Sequence, residues 1–151
     1  MLSNKTKYGL HAAIYLAENY EKGAILISEL AKKEKLPRKF LEAILLELKK
    51  KGVLNSKKGK GGGYFLARPP KSITLGEIIR ILEGPLAPVS CVSQTAYKPC
   101  DECRDEQHCG IRLVMKDVRD AIANILDKTS LEDIALKIRT LGADKTVNYH
   151  I

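Results

Sequence analysis

Tryptophan is absent from the 151-residue chain, and phenylalanine occurs only twice. The core must therefore be built from aliphatic side chains. Long apolar runs are missing too, since no segment approaches the roughly 20 apolar residues that a membrane-spanning helix needs. The N-terminal sequence MLSNKTKYGL lacks the continuous apolar segment of a secretory signal peptide. We expect one domain with an extended appendage, located in the cytoplasm and not in a membrane.

The sequence also lacks the residue arrangements that common enzymes use. We find no Ser/His/Asp arrangement, no glycine-rich phosphate-binding fingerprint and no pair of acids placed for acid–base chemistry. A metalloenzyme or an iron–sulfur carrier is the alternative that these absences disfavour. We therefore expect that the protein is not an enzyme.

The net positive charge of the chain arises from one short region. The formal net charge is +8, from 26 Lys and Arg against 18 Asp and Glu. Residues 31–60 hold eleven of these basic residues and three of the acids, so they account for the whole excess. A charge run is usually a solvated face, but an excess on a single supersecondary unit indicates a polyanion-binding surface.

A basic, glycine-rich hairpin is predicted within this region. Two β-prone runs, Val53–Ser56 and Tyr64–Ala67, flank a tip that contains three consecutive glycines. Lys57, Lys58 and Lys60 lie in the tip and would suit a nucleic-acid phosphate backbone. The alternative is a solvated hairpin whose lysines only keep a strand edge soluble.

Two short helices are predicted just before the hairpin. Ser28–Lys35 has Ser28 as a possible cap and is broken at Pro37. The second, Arg38–Lys51, ends at Gly52 and has the helical period of an apolar face at Leu41, Ile44, Leu45 and Leu48. Helix, tight turn, helix and basic hairpin is the order of a winged helix-turn-helix. The predicted fold is thus mainly α with a small β wing, plus a long C-terminal dimerisation helix.

Four further helices and a tail complete the predicted chain. They are Lys5–Asn19, Leu75–Leu82 after a capping box at Thr74–Glu77, Gly110–Lys128, a short helix to about Leu141 opened by a capping box at Ser130–Asp133, and a frayed tail at Gly142–Ile151. Residues 85–108 have no clear period and are predicted to be a loop.

The long helix carries an apolar stripe. Its members follow the i, i+3, i+4, i+7 spacing and include Ile111, Val114, Met115, Val118, Ile122 and Ile125. Such a stripe commonly packs on the chain's own core. A helix separated from that core by a loop would instead bury its stripe on a second copy of the chain, and a two-fold dimer also supplies two DNA-reading units.

All four cysteines, Cys91, Cys100, Cys103 and Cys109, lie within nineteen residues. Clustered thiols in a cytoplasmic protein favour a metal site or redox chemistry over a structural disulfide framework. Thiolates bind iron–sulfur clusters and Zn²⁺. A zinc clip and reversible thiol–disulfide chemistry are therefore open alternatives to a cluster.

The sequence resembles the Rrf-two (Rrf2) family of bacterial winged-helix transcription regulators. The similarity is carried by TKYGLHAAIYLA, by the run from ISELAKKEKLPRKFLEAILLELKKKG to GKGGGYFLARPP, by ITLGEIIRILEG and by CGIRLVMKDVRDAIANILDKTSLEDI. The resemblance extends to about residue 136. It implies a DNA-binding homodimer held by the long helix, and some members of this family carry an iron–sulfur cluster.

For the cysteine loop, the resemblance implies Cys91, Cys103 and Cys109 as ligands of one cluster. Family members with three ligating cysteines have five residues between the last two, as here. The histidine that some members have three residues after the last cysteine is Arg112 in this chain. The fourth ligand is then Cys100, with His11 of the first helix as the alternative and His108 as a weaker one.

For DNA, the resemblance aligns Lys39 and Glu42 with residues that read base edges, and Lys58 with a basic wing residue that enters the minor groove. Family members often have Arg at that last position, and Lys is less suited to a narrow groove. The predicted DNA surface comprises Ser28, Arg38, Lys39, Glu42, Lys49, Lys57, Lys58, Lys60, Gly61, Gly62 and Tyr64.

The sequence thus predicts a homodimeric regulator that binds double-stranded DNA at an inverted-repeat site. Its expected parts are a DNA-binding domain (1–87), a cysteine-rich sensor loop (88–109), a dimerisation helix with a short helix (110–141) and a tail (142–151). An iron–sulfur cluster on the loop, of the 2Fe-2S rather than the 4Fe-4S type, is expected to set DNA affinity. The alternative is the same regulator without a cluster, which responds through zinc, thiol oxidation or a partner protein.

Overall fold

A computed structural model describes residues 2–148. The chain forms six helices and one two-stranded antiparallel sheet over these residues: α1 (Asn4–Glu18), α2 (Ile27–Glu34), α3 (Arg38–Lys50), β1 (Leu54–Lys57), β2 (Gly63–Leu66), α4 (Leu75–Leu82), α5 (Gly110–Leu126) and α6 (Leu131–Asn148). Three short 3-10 turns, Tyr20–Lys22, Pro70–Ser72 and Ser90–Val92, interrupt the connections. No helix within residues 2–148 is long and apolar enough to cross a bilayer. The expectation of a mainly helical winged helix is confirmed.

The helix-turn-helix is formed by α2 and α3. Lys35 ends α2 in the left-handed conformation, with φ of 53°, and its N–H still bonds the carbonyl of Ala31. Pro37 then starts α3, because its carbonyl accepts the hydrogen bond from the N–H of Leu41 at 3.0 Å. The four predicted apolar residues of α3, Leu41, Ile44, Leu45 and Leu48, are all buried.

The sheet is the predicted wing. Its first strand lies one residue later in the chain than predicted, and its second strand lies one residue earlier. Leu54 pairs with Leu66 and Lys57 pairs with Gly63 in an antiparallel register. A connection that the sequence did not predict anchors the wing: the backbones of Ile25 and Tyr64 exchange two hydrogen bonds, at 2.9 and 2.8 Å. The wing is therefore held to the segment that leads into α2.

The hydrophobic core lies among α1, α3, α4 and the wing. It is aliphatic, as expected, and α6 returns to it through the fully buried Leu131. Backbone hydrogen bonds from Leu75 to Thr129 and from Leu131 to Ile73 fix this return. Gly9 allows the close packing of α1 on α4, because a Cβ there would overlap the side chain of Leu82.

Of the two predicted capping boxes, one is complete. At Thr74–Glu77 only half is formed, because the Thr74 hydroxyl accepts a hydrogen bond from the N–H of Glu77 while the Glu77 carboxylate pairs with Arg68. Ser130 and Asp133 form a complete capping box, since the Ser130 hydroxyl accepts from the N–H of Asp133 and the Asp133 carboxylate accepts from the N–H of Ser130.

The predicted C-terminus is wrong in part. The last helix was expected to end near Leu141 and to fray from Gly142, but α6 continues to Asn148. A glycine inside a helix costs only about 1 kcal/mol, so Gly142 does not have to end it. The remainder of the predicted tail, residues 149–151, lies outside the described residues.

Candidate nucleic-acid interface and cysteine loop

A groove of about 400 Å³ lies between α2, α3 and the wing. Its lining combines the start of α2 with basic side chains from α3 and β1. The residues that line it are Leu26, Ile27, Ser28, Arg38, Lys49, Ser56, Lys57, Lys58, Gly63 and Tyr64. Six of the eleven predicted DNA-binding residues are therefore gathered around one groove.

The predicted role of Ser28 as a helix cap is wrong. The helix starts one residue earlier, and the cap position is Leu26, whose carbonyl accepts from the N–H of Leu30 at 3.0 Å. Ser28 thus lies in the first turn of α2 with its side chain lining the groove. The misplacement has a simple cause: the extended backbone of Leu26 starts the helix without any side-chain cap.

The exposed surface of α3 holds the residues that were predicted to read bases. Lys39 is exposed in the first turn, and so is Glu42. The Glu42 carboxylate accepts a hydrogen bond from Nε of Arg38 at 3.2 Å, which orients both side chains before any ligand binds. Phe40, missed by the sequence reasoning, is 64% exposed beside Lys39. The only feature of the sequence that could have indicated this exposure is that Phe40 does not follow the period of the buried apolar residues of α3.

The wing tip projects lysines from a glycine turn. Lys57, Lys58 and Lys60 are exposed, and Lys49 at the end of α3 donates a hydrogen bond to the Ser56 hydroxyl at 2.6 Å. Gly61 has φ of 76°, in the left-handed region.

Gly62 is buried within this turn. A Cβ on Gly62 would lie 2.4 Å from the Lys57 carbonyl oxygen. Gly62 therefore shapes the turn through its lack of a side chain.

The cysteine loop, residues 88–109, places its thiols in different surroundings. Cys91 is buried in the 3-10 turn Ser90–Val92, whereas Cys100 and Cys103 are exposed. Cys109 caps α5, with its Sγ accepting from the N–H of Arg112 at 3.5 Å. Sequence reasoning had not predicted this capping role.

The four cysteines are near enough for their charges to interact. Partial desolvation raises the pKa of the Cys103 thiol, and the negative charges of Glu106 and of the thiolates of Cys100, Cys109 and Cys91 raise it further. The raised pKa favours the neutral thiol when no metal is bound, while four sulfur donors are the type that a thiophilic metal or cluster prefers. The arrangement of these side chains does not form a metal site, because no three Cys, His, Asp or Glu side chains of residues 2–142 are gathered closely enough to hold a metal ion.

The two histidine candidates lie apart from such a set. His11 on α1 is paired with Glu34 of α2, with Nδ1 and Oε2 3.6 Å apart. His108 is in the loop, but it faces Asp105, with Nδ1 and Oδ2 2.6 Å apart.

Two arginines of α5 hold the cysteine loop to the helix. Arg119 donates to the carbonyl of Val92 at 2.7 Å, and its side chain is only 14% exposed. Arg112 donates to the carbonyl of Cys91 at 3.4 Å and pairs with Glu106 at 3.2 Å. The segment around Cys91 is therefore bonded directly to α5.

The apolar stripe of α5 is mostly uncovered in a single chain. Ile111, Val114, Val118 and Ile125 are exposed, Met115 and Ile122 are half-buried, and the helix has no buried residue. Leu113, which lies outside the predicted stripe, is 57% exposed. Two leucines of α6, Leu136 and Leu141, are 51% and 62% exposed. The uncovered apolar surface is therefore wider than the sequence pattern predicted.

Comparison with known proteins agrees with this architecture. The profile of the Rrf2 family, described as an iron-dependent transcriptional regulator, matches residues 2–137. A protein of Rhodobacter capsulatus named as an rrf2-like HTH-type transcriptional regulator is 40% identical over 137 residues, 89% of this chain and 91% of that one. The regulator CymR of Bacillus subtilis is 36% identical, over 89% of this chain and 88% of its own.

Solved structures give the same result. The structure of CymR, described as the global cysteine regulator of B. subtilis, superposes with a TM-score of 0.76 at 33% identity, covering 91% of this chain and 97% of CymR. IscR of T. potens gives a TM-score of 0.73 at 29% identity, covering 91% and 88%. These relatives are regulators and not enzymes, as expected for this chain. The chain belongs to the Rrf2 family of transcriptional regulators.

Proposed function

We propose that this protein is a homodimeric, sequence-specific DNA-binding regulator whose affinity for an inverted-repeat site is set by an iron–sulfur cluster on the cysteine loop. The observation that carries the DNA-binding part is the groove between α2, α3 and the wing. Arg38, Lys49, Lys57 and Lys58 line it, and residues 31–60 hold the entire positive excess of the chain. Such a concentration of cations matches the phosphates of a duplex.

In this proposal α3 enters the major groove and the wing lies along the adjacent backbone. Lys39 and Glu42 face base edges, where a carboxylate accepts from cytosine N4. Lys58 reaches the minor groove beside the glycine turn. The hydrogen bond from Lys49 to Ser56 links the end of α3 to the wing, so the two elements would contact the duplex together.

The dimer is supported by the uncovered stripe of α5. Ile111 and Ile125, at 69% and 64% exposure, lie at opposite ends of the helix, so the apolar surface runs along most of its length. Two copies related by a two-fold axis would each bury this stripe on the other. The same axis would place two copies of α3 at a fixed spacing, which is what an inverted repeat requires.

The sensor part is supported by the chemistry of the loop. Cys91, Cys103 and Cys109 would hold the cluster, with Cys100 or His11 as fourth ligand, and the cluster would supply an oxidant-sensitive cross-link. Cys109 caps α5, and the carbonyl of Cys91 is held by Arg112. These two cysteines are thus already tied to the proposed dimer helix, so a change at the thiols reaches that helix directly.

A second candidate is the same regulator working through its thiols or zinc. Its thiol form is favoured by the exposure of Cys100 and Cys103, and it needs no gathered set of metal ligands, of which there is none among the side chains of residues 2–142. CymR, which resembles this chain at 36% identity, is described as a cysteine regulator.

Competition binding tests the DNA proposal. A site selected from random duplexes should be an inverted repeat, and affinity should fall steeply with salt as phosphate contacts are displaced. Lys58→Ala should weaken binding to most sequences and flatten the salt slope by about one unit. Lys71→Ala is the matched control, since Lys71 lines a different cleft between α1 and α6. Equal affinity for the selected site and its scrambled version would refute specific recognition.

Anaerobic reconstitution tests the sensor proposal. Iron, sulfide and zinc are measured in the wild type and in alanine variants of each cysteine. The Cys91, Cys103 and Cys109 variants should lose iron and sulfide. Wild-type content in all three would overturn the cluster assignment, and stoichiometric zinc without sulfide would favour the second candidate. If the cluster forms and DNA affinity is unchanged by it, only the sensing mechanism fails.

A further inference from the structure

Cys100 and Cys103 form the two ends of a tight turn. The N–H of Cys103 donates to the carbonyl of Cys100 at 3.2 Å. A turn of four residues closed this way brings its end Cα atoms within about 7 Å. A disulfide forms at a Cα separation of about 4.4–6.8 Å, so the backbone of such a turn is compatible with a link between its two end residues.

The other two thiols are held in different settings. Cys91 is buried in a 3-10 turn, and its carbonyl accepts from Arg112. The Sγ of Cys109 accepts a hydrogen bond as the cap of α5, which a disulfide would disturb. Cys100 and Cys103 are both exposed. They are thus the pair that a small disulfide in solution can reach and that can then react internally.

We propose that Cys100 and Cys103 form a reversible intramolecular disulfide by exchange with a low-molecular-weight disulfide. One of the two thiolates attacks a sulfur of the small disulfide, which forms a mixed disulfide and releases one small thiolate. The second cysteine, as thiolate, then attacks the protein sulfur of that mixed disulfide and releases the second small thiolate. The two protein thiols lose two electrons and two protons, and the small disulfide is reduced to two thiols.

This chemistry gives Cys100 a role of its own. Cys100 is one half of this disulfide, so it is paired with Cys103 and does not serve as a fourth metal ligand in the oxidised protein. The disulfide would also withdraw Cys103 from the proposed ligand set. That consequence rests on the proposed function, whereas the disulfide itself does not.

The cleavage pattern of the chain makes the disulfide measurable. A protease that cuts after glutamate separates the two cysteines at Glu102 and gives peptides 84–102 and 103–106. Metal-free, reduced protein is treated with oxidised glutathione, and the remaining free thiols are blocked. The protein is then digested with this protease, and the peptide masses are measured by mass spectrometry with and without reductant. The two peptides should be linked in the wild type and released by reductant.

Single serine variants identify the partner. The link should persist in Cys91→Ser, because peptide 84–102 then contains Cys100 as its one cysteine. In Cys100→Ser the link should fall roughly tenfold or more, with glutathione left on Cys103. Helix content by circular dichroism confirms that each variant is folded.

Two outcomes overturn the proposal. One is a link between 84–102 and 103–106 that survives in Cys100→Ser, because Cys91 would then be the partner. The other is a wild type in which Cys100 and Cys103 each keep a glutathione. Since the protein is metal-free and the readout is a mass, failure of the cluster proposal leaves this result intact, and failure here leaves iron binding untouched.

Discussion

Helices α3 and α5 have similar amphipathic sequences and opposite surroundings. In α3, the apolar side chains Leu41, Leu45 and Leu48 have no exposed surface and Ile44 has 1%. In α5, none of the seventeen residues is buried. The spacing of apolar residues therefore predicts that a helix has one apolar face, but it does not predict which element or molecule covers that face.

The difference arises from the connections on either side of each helix. A turn of three residues holds α3 against α2, and its end leads at once into the wing. The start of α5 follows the cysteine loop, which extends for more than twenty residues after α4 and contains only one short 3-10 turn. The apolar face of α3 is thus covered by neighbouring elements of the same chain, whereas the stripe of α5 remains uncovered in the single chain.

The largest expected effect concerns the buried apolar face of α3. Leu45→Ala removes a side chain with no exposed surface and leaves a cavity, which should lower the free energy of unfolding by about 2–5 kcal/mol. Urea denaturation followed by circular dichroism measures the loss. Leu136→Ala, at a residue of α6 that is 51% exposed, is the control and should change stability by less than about 0.5 kcal/mol. Equal losses would remove the contrast between the regions.

The next prediction tests the proposed dimer interface on α5. Val114→Asp places a carboxylate in the proposed interface, where burying an unpaired charge costs several kcal/mol. The variant should be monomeric by light scattering at micromolar concentration, lose high-affinity DNA binding and keep its thermal stability as a monomer. Val114 is 58% exposed in the single chain, so the monomer should tolerate the change.

The control for this variant is Asn124→Asp, which adds the same charge to an exposed position of α5 off the stripe. It should remain dimeric. A wild type that is already monomeric at micromolar concentration would contradict the dimer proposal.

The smallest effect concerns the hydrogen bonds that join Glu83, at the end of α4, to the start of α1. Glu83 accepts hydrogen bonds from the hydroxyls of Thr6 and Ser3 and from the N–H of Ser3, which together lower the pKa of its carboxyl from 4.5 to about 2. A lowered pKa stabilises the folded state above pH 4.5, and this contribution is lost as pH falls toward about 2. The melting temperature of the wild type should fall across this window more than that of Glu83→Gln.

Melting curves at several pH values between 2 and 7 measure the difference. Glu132→Gln, at an exposed residue of α6, is the control and should follow the wild type. Parallel curves for the wild type and Glu83→Gln would show that the hydrogen bonds of Glu83 do not contribute to the pH dependence of stability.

Much of the N-terminal unit could be predicted from residues alone. Helix α4 was predicted with its observed bounds, because Thr74 is an unambiguous cap and the apolar period is regular. The start of α2 was misplaced, because Leu26 caps it through its backbone and offers no side-chain signal. The anchoring of the wing by Ile25 escaped prediction as well, since an isolated bridge involves one residue on each side and leaves no pattern.

For the cysteine loop, the sequence predicts the type of chemistry but not the surroundings of each thiol. Four clustered thiols indicate soft-metal or redox chemistry from sequence. The sequence does not tell that Cys91 is buried, that Cys109 caps α5 or that Cys100 and Cys103 end one turn. Those assignments depend on which backbone groups each residue meets after folding.

The sequence by itself determined the order of elements, the aliphatic core, the basic unit and the family, because these depend on local periodicity, charge and short-range turn chemistry. Only the tertiary structure decided which apolar faces are covered. Burial depends on contacts between residues far apart in the chain: Leu131 is drawn into the N-terminal core across more than fifty residues, while Ile111, at 69% exposure, remains on the surface. Apolar side chains gain the same free energy on leaving water wherever they pack, so the sequence pattern alone cannot choose between the two outcomes.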